Sequence, residues 1–420
     1  MDAAPPPPPP PVNRLDLPAD MLSAVFTTLE FPDLLRCGAV CTTWLATARA
    51  LLRDGFYSCP QTPRLLYAAA SSSGTDAELC SLADKTTYAV PSFTGPPISD
   101  RYIVGCSHGW LVTADARSEL HLLNPVTGDQ ISLPSVTTIE QVTPILDVDD
   151  ADGSVTAYNL FFYDGNIPRK EYRTPAIYQL DELRNFIYMK AVISSDPASG
   201  DDFTVMLIHN PYMQLSFARS SDKQWNWITF HNNIRFSDCI FEDDVFYAIT
   251  YHGVVHLIDV KGDFYTRRVI VQETLPMMYL IVYLARSPDH GDFMQIFRFT
   301  RSSETDPPVT RTTKISVLKL DLEDKERFVD YDLGDNAVFI GRNYTTCLSA
   351  KDYPELMPNH IYFTDDDEYS LRAFKDTPRD IGVYNYEDDS VGEVVSPQPW
   401  LKWPPPIWIT PSFKRLPKHV

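Results

Sequence analysis

The sequence predicts two unlike parts: a small all-α module at the N-terminus, then a large all-β domain. Three observations carry this reading. Leu15 to Leu52 is dense in apolar residues set at helical spacing. From about Leu65 onward the pattern changes to period two, with frequent turn residues. Within that second part, strand-turn-strand patterns echo one another at intervals of roughly 40 to 65 residues, the mark of a repeated sheet.

In the helical part, Pro18 suits a first turn, where its missing N–H would have had no partner. Asp20 then sits near the positive end of the helix dipole. Met21, Leu22, Val25, Phe26 and Leu29 follow at the spacing of one amphipathic face. Phe31-Pro32-Asp33 ends this helix and begins another, because a residue before proline is pushed out of the α region. Leu34, Leu35, Val40, Cys41, Trp44, Leu45 and Ala48 supply the apolar side of one or two more helical pieces, and Cys37 and Cys41 read as buried helix residues. Gly38 inside a helix would cost about 1 kcal/mol relative to Ala, so it marks either a weak point or a helix end. A unit of about forty residues is near the lower limit for burying its own core. This one holds more large apolar groups than three short helices can hide, so it either packs on the rest of the chain or is completed by another protein.

The order Leu17-Pro18-x-x-Met21-Leu22-x-x-Val25-Phe26-x-x-Leu29, then Asp33-Leu34-Leu35-Arg36, then Val40-Cys41-x-x-Trp44, resembles the F-box motif at many fixed spacings. Met21 departs from it, standing where Leu is usual. The resemblance implies docking onto a Skp-type adaptor, and through it onto the cullin scaffold of an SCF-type ubiquitin ligase. It also implies the residues that bind the adaptor: Leu17, Pro18, Leu22, Val25, Leu34, Val40 and Trp44.

The bulk numbers narrow the partners. Among 420 residues, 36 Lys+Arg stand against 56 Asp+Glu, a net charge of −20. An excess of that sign opposes phosphate backbones and anionic bilayers, so neither nucleic acid nor membrane is an expected partner. The cysteines, 37, 41, 59, 80, 106, 239 and 347, are scattered and form no CxxC pair, which argues against a zinc site or a disulfide framework. The N-terminus lacks a cationic and then apolar run, and no apolar stretch approaches twenty residues. The expected setting is reduced and intracellular, in the nucleus and/or the cytosol, where the Asn343-Tyr344-Thr345 sequon would have no role.

Taken in order, residues 1–12 form a proline-rich tail whose seven successive prolines, Pro5 to Pro11, favour either a polyproline II rod or plain disorder. Residues 13–54 are the helical module. Residues 55–64, with Gly55, Pro60 and Pro63, read as a linker. Residues 65–415 form the β domain. Its clearest piece runs Trp110–Thr113, a turn at Ala114–Ser118, Leu120–Leu123, a turn at Asn124–Gly128, then Gln130–Leu133. A second meander runs Val245–Thr250, His252-Gly253, Val254–Asp259, then a turn at Lys261–Asp263. Leu120–Asn124 and Val255–Asp259 are alike, and looser echoes lie in Gln214–Ile228, Ile315–Asp321 and Ile381–Asn385. Such spacing suits a β-propeller of about six or seven blades; an elongated β-sandwich array is the alternative.

Val104-Gly105-Cys106-Ser107-His108-Gly109-Trp110-Leu111, followed by Leu122-Leu123-Asn124-Pro125-Val126-Thr127-Gly128 and Leu133-Pro134, is similar to a plant family. These are F-box proteins with a C-terminal domain of unknown function, a KIB-type β-propeller. The tail from Trp403 to Phe413 resembles that family's terminal strand.

The common catalytic signatures are absent from the sequence. The sequence has no phosphate-binding loop, HExxH helix or GxSxG elbow. His252 and His256 are four apart, but they lie on strand-turn-strand and not on a helix. Asp147–Gly153 fails the EF-hand pattern, with Ala151 and Tyr158 at ligand positions, and reads as a solvated hairpin tip. Asp365–Glu368 reads the same way. Trp225, Trp227, Trp400, Trp403 and Trp408 read as core packing between blades, against a sugar or peptide platform as the alternative. The expectation is a non-catalytic subunit without metal or cofactor, whose propeller recruits a target protein. A non-degradative interaction module and a propeller enzyme with convergent carboxylates are the other readings.

Overall fold

In the computed structural model, the described residues are 17–68, 77–83, 85–90, 95–147, 153–163, 174–230, 234–272, 280–320, 327–328, 331–374, 377–394 and 404–417. The chain divides after Gln61 into two units. The proline run and Trp400 and Trp403 lie outside the described residues, as do residues 148–152 of the acidic turn.

The first unit holds α1 (Ala19–Phe26), α2 (Phe31–Gly38) and α3 (Thr42–Arg53). Pro18 caps α1 from just outside it, and its carbonyl accepts from Leu22 N at 3.0 Å. Pro32 stands in the first turn of α2, and Gly38 is that helix's last residue. A Cβ on Gly38 would meet Leu45 Cδ1 of α3 at 3.5 Å, an ordinary contact. Leu22, Phe26, Leu34, Ala48 and Leu51 are buried, and Phe26 meets the Trp44 ring edge-on at 5.5 Å. Each of the leucine and phenylalanine side chains contributes roughly 1.5–3 kcal/mol when fully buried. Residues after α3 add polar ties: the Tyr57 hydroxyl donates to Leu29 O at 2.7 Å, and Phe31 N donates to Gln61 Oε1 at 2.9 Å. The reading of Cys37 and Cys41 needs correction. Both are only half-buried, and Cys41 has extended backbone as the N-cap of α3, so it lies before the helix.

Among the described residues, the second unit forms seven sheets. Sheet 1 comprises Arg64–Ala68, Ala77–Cys80 and Thr87–Val90, joined by Ile407–Ile409. Sheet 2 is Tyr102–Ser107, Trp110–Ala114, Leu120–Leu123 and Gln130–Ser132. Sheet 3 has three strands, Val142–Leu146, Val155–Leu160 and Ala176–Gln179. Sheet 4 is Tyr188–Ile193, Thr204–His209, Gln214–Arg219 and Asn226–Ile228. Sheet 5 is Phe236–Glu242, Val245–Thr250, Val255–Asp259 and Thr266–Val271. Sheet 6 is Leu280–Arg286, Phe293–Ser302, Thr310–Leu320 and Arg327–Phe328. Sheet 7 orders Thr346–Ser349, Asn336–Ile340, His360–Phe363, Gly382–Asn385 and Ser390–Gly392, with its second and third strands parallel.

Four of the five similar segments prove to be equivalent in space, whereas Gly382–Asn385 is fourth in the order of sheet 7. Leu120–Leu123, Gln214–Arg219, Val255–Asp259 and Thr310–Leu320 are each the third strand of their sheet. Such a strand has neighbours on both edges, so its residues face the same demands in every repeat.

Apolar clusters join the sheets in a closed cycle. Leu66 and Leu79 meet Ile103 and Leu111 between sheets 1 and 2. Val104 and Trp110 meet Ala191 and Leu207 between sheets 2 and 4. Met206 and Ile208 meet Phe236 and Phe246 between sheets 4 and 5, and Ile249 and Val255 meet Val282 and Leu284 between sheets 5 and 6. Ala285 and Ile296 meet Val338 and Ile361 between sheets 6 and 7, and Phe339 and Tyr362 meet Leu65 and Trp408 to return to sheet 1. Sheet 3 stands outside this cycle and adds Val142, Tyr158 and Leu160 to the cluster shared by sheets 2 and 4. The first strands of those two sheets pack directly: a Cβ on Gly105 would lie 2.2 Å from Ala191 O.

Closure uses the far end of the chain. Ile407–Ile409 pairs antiparallel with Arg64–Leu66. This occupies an edge that would otherwise expose unpaired N–H and C=O groups.

Candidate functional site

The first candidate surface is on the helical unit. Met21 (54% exposed) and Val25 (51%) share a face of α1, because residues four apart on a helix lie one above the other. Leu17 (43%) and exposed Pro18 precede them, and Leu35 and Val40 are also exposed. Leu22 (1%) and Leu34 (0%) face the other way and are buried. Trp44 is half-buried, with an indole N–H that has no hydrogen-bond partner among the described residues. The structure therefore separates the seven residues singled out in the sequence. Leu17, Pro18, Val25 and Val40 present apolar surface, while Leu22 and Leu34 support it from within. Met21 and Leu35 are motif positions outside those seven, and both are exposed apolar residues; helical register with Val25 is the signal that finds Met21.

The second candidate surface lies at the middle of the ring. Gly341–Thr345, between two strands of sheet 7, is tied to the first strands of three other sheets. Tyr344 N donates to Cys106 O at 2.7 Å, and Arg342 Nη1 donates to Ile103 O at 2.9 Å. Lys190 Nζ donates to Gly341 O at 2.9 Å and pairs with Asp238 at 2.6 Å. Thr345 Oγ1 donates to the other oxygen of Asp238 at 2.7 Å, and the Tyr344 hydroxyl donates to Phe241 O at 2.9 Å. These bonds hold the segment across the central opening. A Cβ on Gly341, which has φ +139°, would collide with Thr364 Oγ1 at 2.2 Å, so glycine is required where the segment enters. Asn343 of the sequon is buried within it.

Two tight turns of sheet 2 follow from their residues. His108 and Gly109 have φ of 53° and 80°. Two successive positive values make the type of hairpin turn that glycine favours. Asn124 Oδ1 accepts from Val126 N and Thr127 N at 2.9 and 3.1 Å, and Gly128 closes the turn with φ 78°. Asx geometry of this sort is why Asn-Pro-x-x-Gly reads as a turn.

Asp365 and Asp366 do not form a solvated tip. Asp365 is buried and Asp366 half-buried in an ionic network: Arg298 pairs with Asp366 at 3.0 Å and with Asp380 at 2.8 Å, and Arg379 lies 3.7 Å from Asp365. Tyr283 donates to Asp366 at 2.8 Å. Burial raises the Asp366 carboxyl and pushes that of Asp365 up to about 6, against the pull of Arg298. A run of four acids looks solvated in isolation, and its arginine partners are distant in sequence.

The remaining features are structural. His256 is buried between Phe230 and Phe236, both at 5.3 Å, while His252 is exposed. Trp225 and Trp408 are buried, and Trp227 is half-buried and donates to Gln214 Oε1 at 3.0 Å. Among the described residues, no group of three or more His, Cys, Asp or Glu is placed to hold a metal ion. No helix among them is long and apolar enough to cross a membrane.

A ring of mostly antiparallel sheets closed by strand Ile407–Ile409 defines a β-propeller, and a three-helix unit with the Leu-Pro to Val-Cys-x-x-Trp order defines an F-box. The chain belongs to the KIB1-4 β-propeller family, whose model matches residues 79–385, and the F-box-like model matches residues 15–53. It is an F-box protein, of the class that acts in substrate recognition. The F-box protein At2g17036 of Arabidopsis thaliana is 28% identical over 241 residues, covering 52% of this chain and 56% of its own. A second chain of that plant, At4g22660, is 20% identical over 400 residues, 89% of each. Among solved structures, the periplasmic gluconolactonase PpgL of Pseudomonas aeruginosa aligns with 83% of this chain and 99% of its own at 9% identity, with a TM-score of 0.32. Likeness at that level carries no functional argument.

Proposed function

We propose that this protein is the substrate-recognition subunit of an SCF-type ubiquitin ligase. The helical unit docks on a Skp-type adaptor through Leu17, Pro18, Val25 and Val40, joined by Met21 and Leu35. Leu22 and Leu34 hold that surface in shape, and Trp44 serves both sides. The propeller holds a target protein, and the subunit itself performs no chemistry. Tethering raises the effective concentration of target lysines near the ubiquitin-loaded enzyme. The net charge of −20 favours a target with a basic patch and disfavours nucleic acid and anionic membrane. The proposed setting is the nucleus and/or the cytosol.

One observation carries the reading: a row of large apolar side chains stands exposed on an F-box unit whose own core is already filled. The test is adaptor binding by the purified chain beside the double variant Leu17→Ala/Pro18→Ala and a deletion of residues 14–52. Truncation of an interface hot spot costs on the order of 2 kcal/mol. The double variant is therefore expected to bind at least tenfold more weakly and the deletion not at all. Absence of binding by the unaltered chain would sink the proposal.

A further inference from the structure

Sheet 6 carries the longest hairpin among the described residues. Its second and third strands have 10 and 11 residues, against 5 or 6 for those of sheets 4 and 5. The last pair made by the first strand is Leu280 with Phe299, and beyond it residues 300–302 pair with 310–312. Sheets 4 and 5 belong to the same ring without such an extension, so the ring itself does not require it.

One face of the hairpin is clamped from within. Arg298, Thr312 and Ile315 are buried, and Asp380 accepts from Thr312 N at 2.7 Å, Thr312 Oγ1 at 2.6 Å and Arg298 Nη2 at 2.8 Å. The other face is cationic. Arg301 and Arg311 are exposed and stand directly opposite each other in the ladder, a placement that destabilises a sheet when the charges are alike. The Arg301 side chain has no partner among the described residues. Arg311 is steadied through Nη1 alone, by Thr310 O, Pro378 O and Arg379 O at 3.2, 3.3 and 3.1 Å. Lys314, three residues further on, would leave the opposite face of a regular strand. A bulge at Thr313 reverses that: Thr312 pairs with Thr300 and Lys314 with Phe299, so Lys314 joins the two arginines on one exposed face. Bulges re-aim side chains in this way, and they are over-represented beside functional sites.

We propose that this face binds an acidic segment of a target protein in extended form, with carboxylates at alternate positions. The proposal rests on the reading of the propeller as the target-holding unit. Along the ladder, the arginine pair and Lys314 are two residues apart, roughly 7 Å at the rise of a strand. Alternate side chains of an extended peptide have the same spacing, so one carboxylate meets the arginines and the next meets Lys314. Guanidinium groups bind carboxylates through paired N–H donors, and an anion between Arg301 and Arg311 relieves their mutual repulsion. Phe299, half-buried on the same face, offers apolar ground to the methylenes of the bound side chains. The net charge of −20 does not prevent so local a contact, because exposed charges more than about 8 Å apart are largely screened at physiological salt. It does oppose nucleic acid, whose dense charge calls for more cations than this face presents.

The experiment uses the full chain and ligand-observed NMR with a capped peptide of alternating glutamate and serine, its glutamine counterpart, acetate and inorganic phosphate. The glutamate peptide is expected to saturate and to bind more weakly as salt is raised, and the glutamine peptide not to bind. Arg301→Glu/Lys314→Glu reverses two of the three cations and is expected to weaken binding about tenfold or more. Arg268→Glu, at an exposed arginine of sheet 5, is expected to leave it within about twofold. Thermal melts confirm that each variant is folded, and if the double variant is not, Arg301→Gln decides, with a loss of about threefold expected. Absence of saturable binding by the glutamate peptide, unchanged binding in the folded double variant, or an equal loss in Arg268→Glu would overturn the proposal. Displacement of the peptide by phosphate at concentrations where acetate is inert would overturn the carboxylate assignment in favour of a phosphorylated segment. The readout needs neither adaptor nor ubiquitin transfer, so its failure leaves the adaptor-binding test unaffected.

Discussion

The side-chain amide of Asn124 donates to the carbonyl of Ser412 at 3.0 Å, across 288 residues of chain. The same side chain holds its own turn through Val126 N and Thr127 N, so one buried residue shapes a hairpin and clasps the segment that follows the closing strand. Leu416 N adds a bond to Asp129 at 3.1 Å. Asn124→Ala would strip both roles at once. It is expected to destabilise the propeller by about 2–3 kcal/mol, since a buried group left unpaired costs more than a bond gained. Urea denaturation would give the loss, and limited proteolysis should show earlier cleavage after Thr410.

Two glycines are expected to respond with opposite signs. Gly105→Ala would drive a methyl group into Ala191 O, a backbone atom that cannot turn aside. Overpacking typically costs about 1–3 kcal/mol, and this contact is closer than most, so the upper end or beyond is expected. Gly38→Ala meets only ordinary contacts and gains helix propensity, a stabilisation of about 0.5–1 kcal/mol. Melting curves of both variants check the pair. A gain at Gly105 would contradict the direct packing of sheets 2 and 4.

On the helical unit, exposure predicts which changes act on binding and which on folding. Met21→Asp and Val25→Asp alter exposed positions and are expected to weaken adaptor binding more than tenfold while leaving the melting temperature within a few degrees. Leu22→Ala removes a buried side chain and is expected to cost about 2–5 kcal/mol of stability in that unit. Calorimetry with the adaptor, beside melts of each variant, separates the two effects.

Buried histidines make part of the stability depend on pH. Burial lowers His209 and His256 to about 4, below the ordinary 6.5. Between those values the unfolded chain binds more protons, so their contribution is fully present above about pH 6.5 and is lost as pH falls through about 4. His209 has both ring nitrogens within hydrogen-bond reach of partners, at 2.9 Å, whereas His256 Nε2 has none among the described residues. His256→Phe is therefore expected to keep the fold and to flatten the loss of stability between pH 6.5 and 4. Asp365 works in the opposite sense. Its folded value, near 6, lies above the ordinary 3.8, so its contribution is full at low pH and is lost as pH rises through about 6. Carbon-13 NMR of the carboxyl would show that late titration directly.

Much of this was legible because its causes are local. Proline and glycine turns, the helical run from Met21 to Phe26 and the strands around Asn124 depend on neighbours a few residues away. The fold class and the F-box pattern could be read for that reason. Asp365–Glu368 misled because its arginines, Arg298 and Arg379, arrive from elsewhere in the chain. Cys41 misled because half-burial and a cap position depend on how α2 and α3 meet.

Periodicity and turn chemistry are short-range, so the two parts, the order of helices and strands, and the repetition of sheets are already written in the chain. Tertiary structure alone decided that sheet 3 stands outside the ring, that Gly341–Thr345 crosses its opening, and that Leu22 and Leu34 turn inward while Met21 and Val25 stay exposed. Those outcomes depend on contacts between residues far apart in the chain, such as Gly105 with Ala191 and Lys190 with Asp238. Such contacts exist only once the ring has closed.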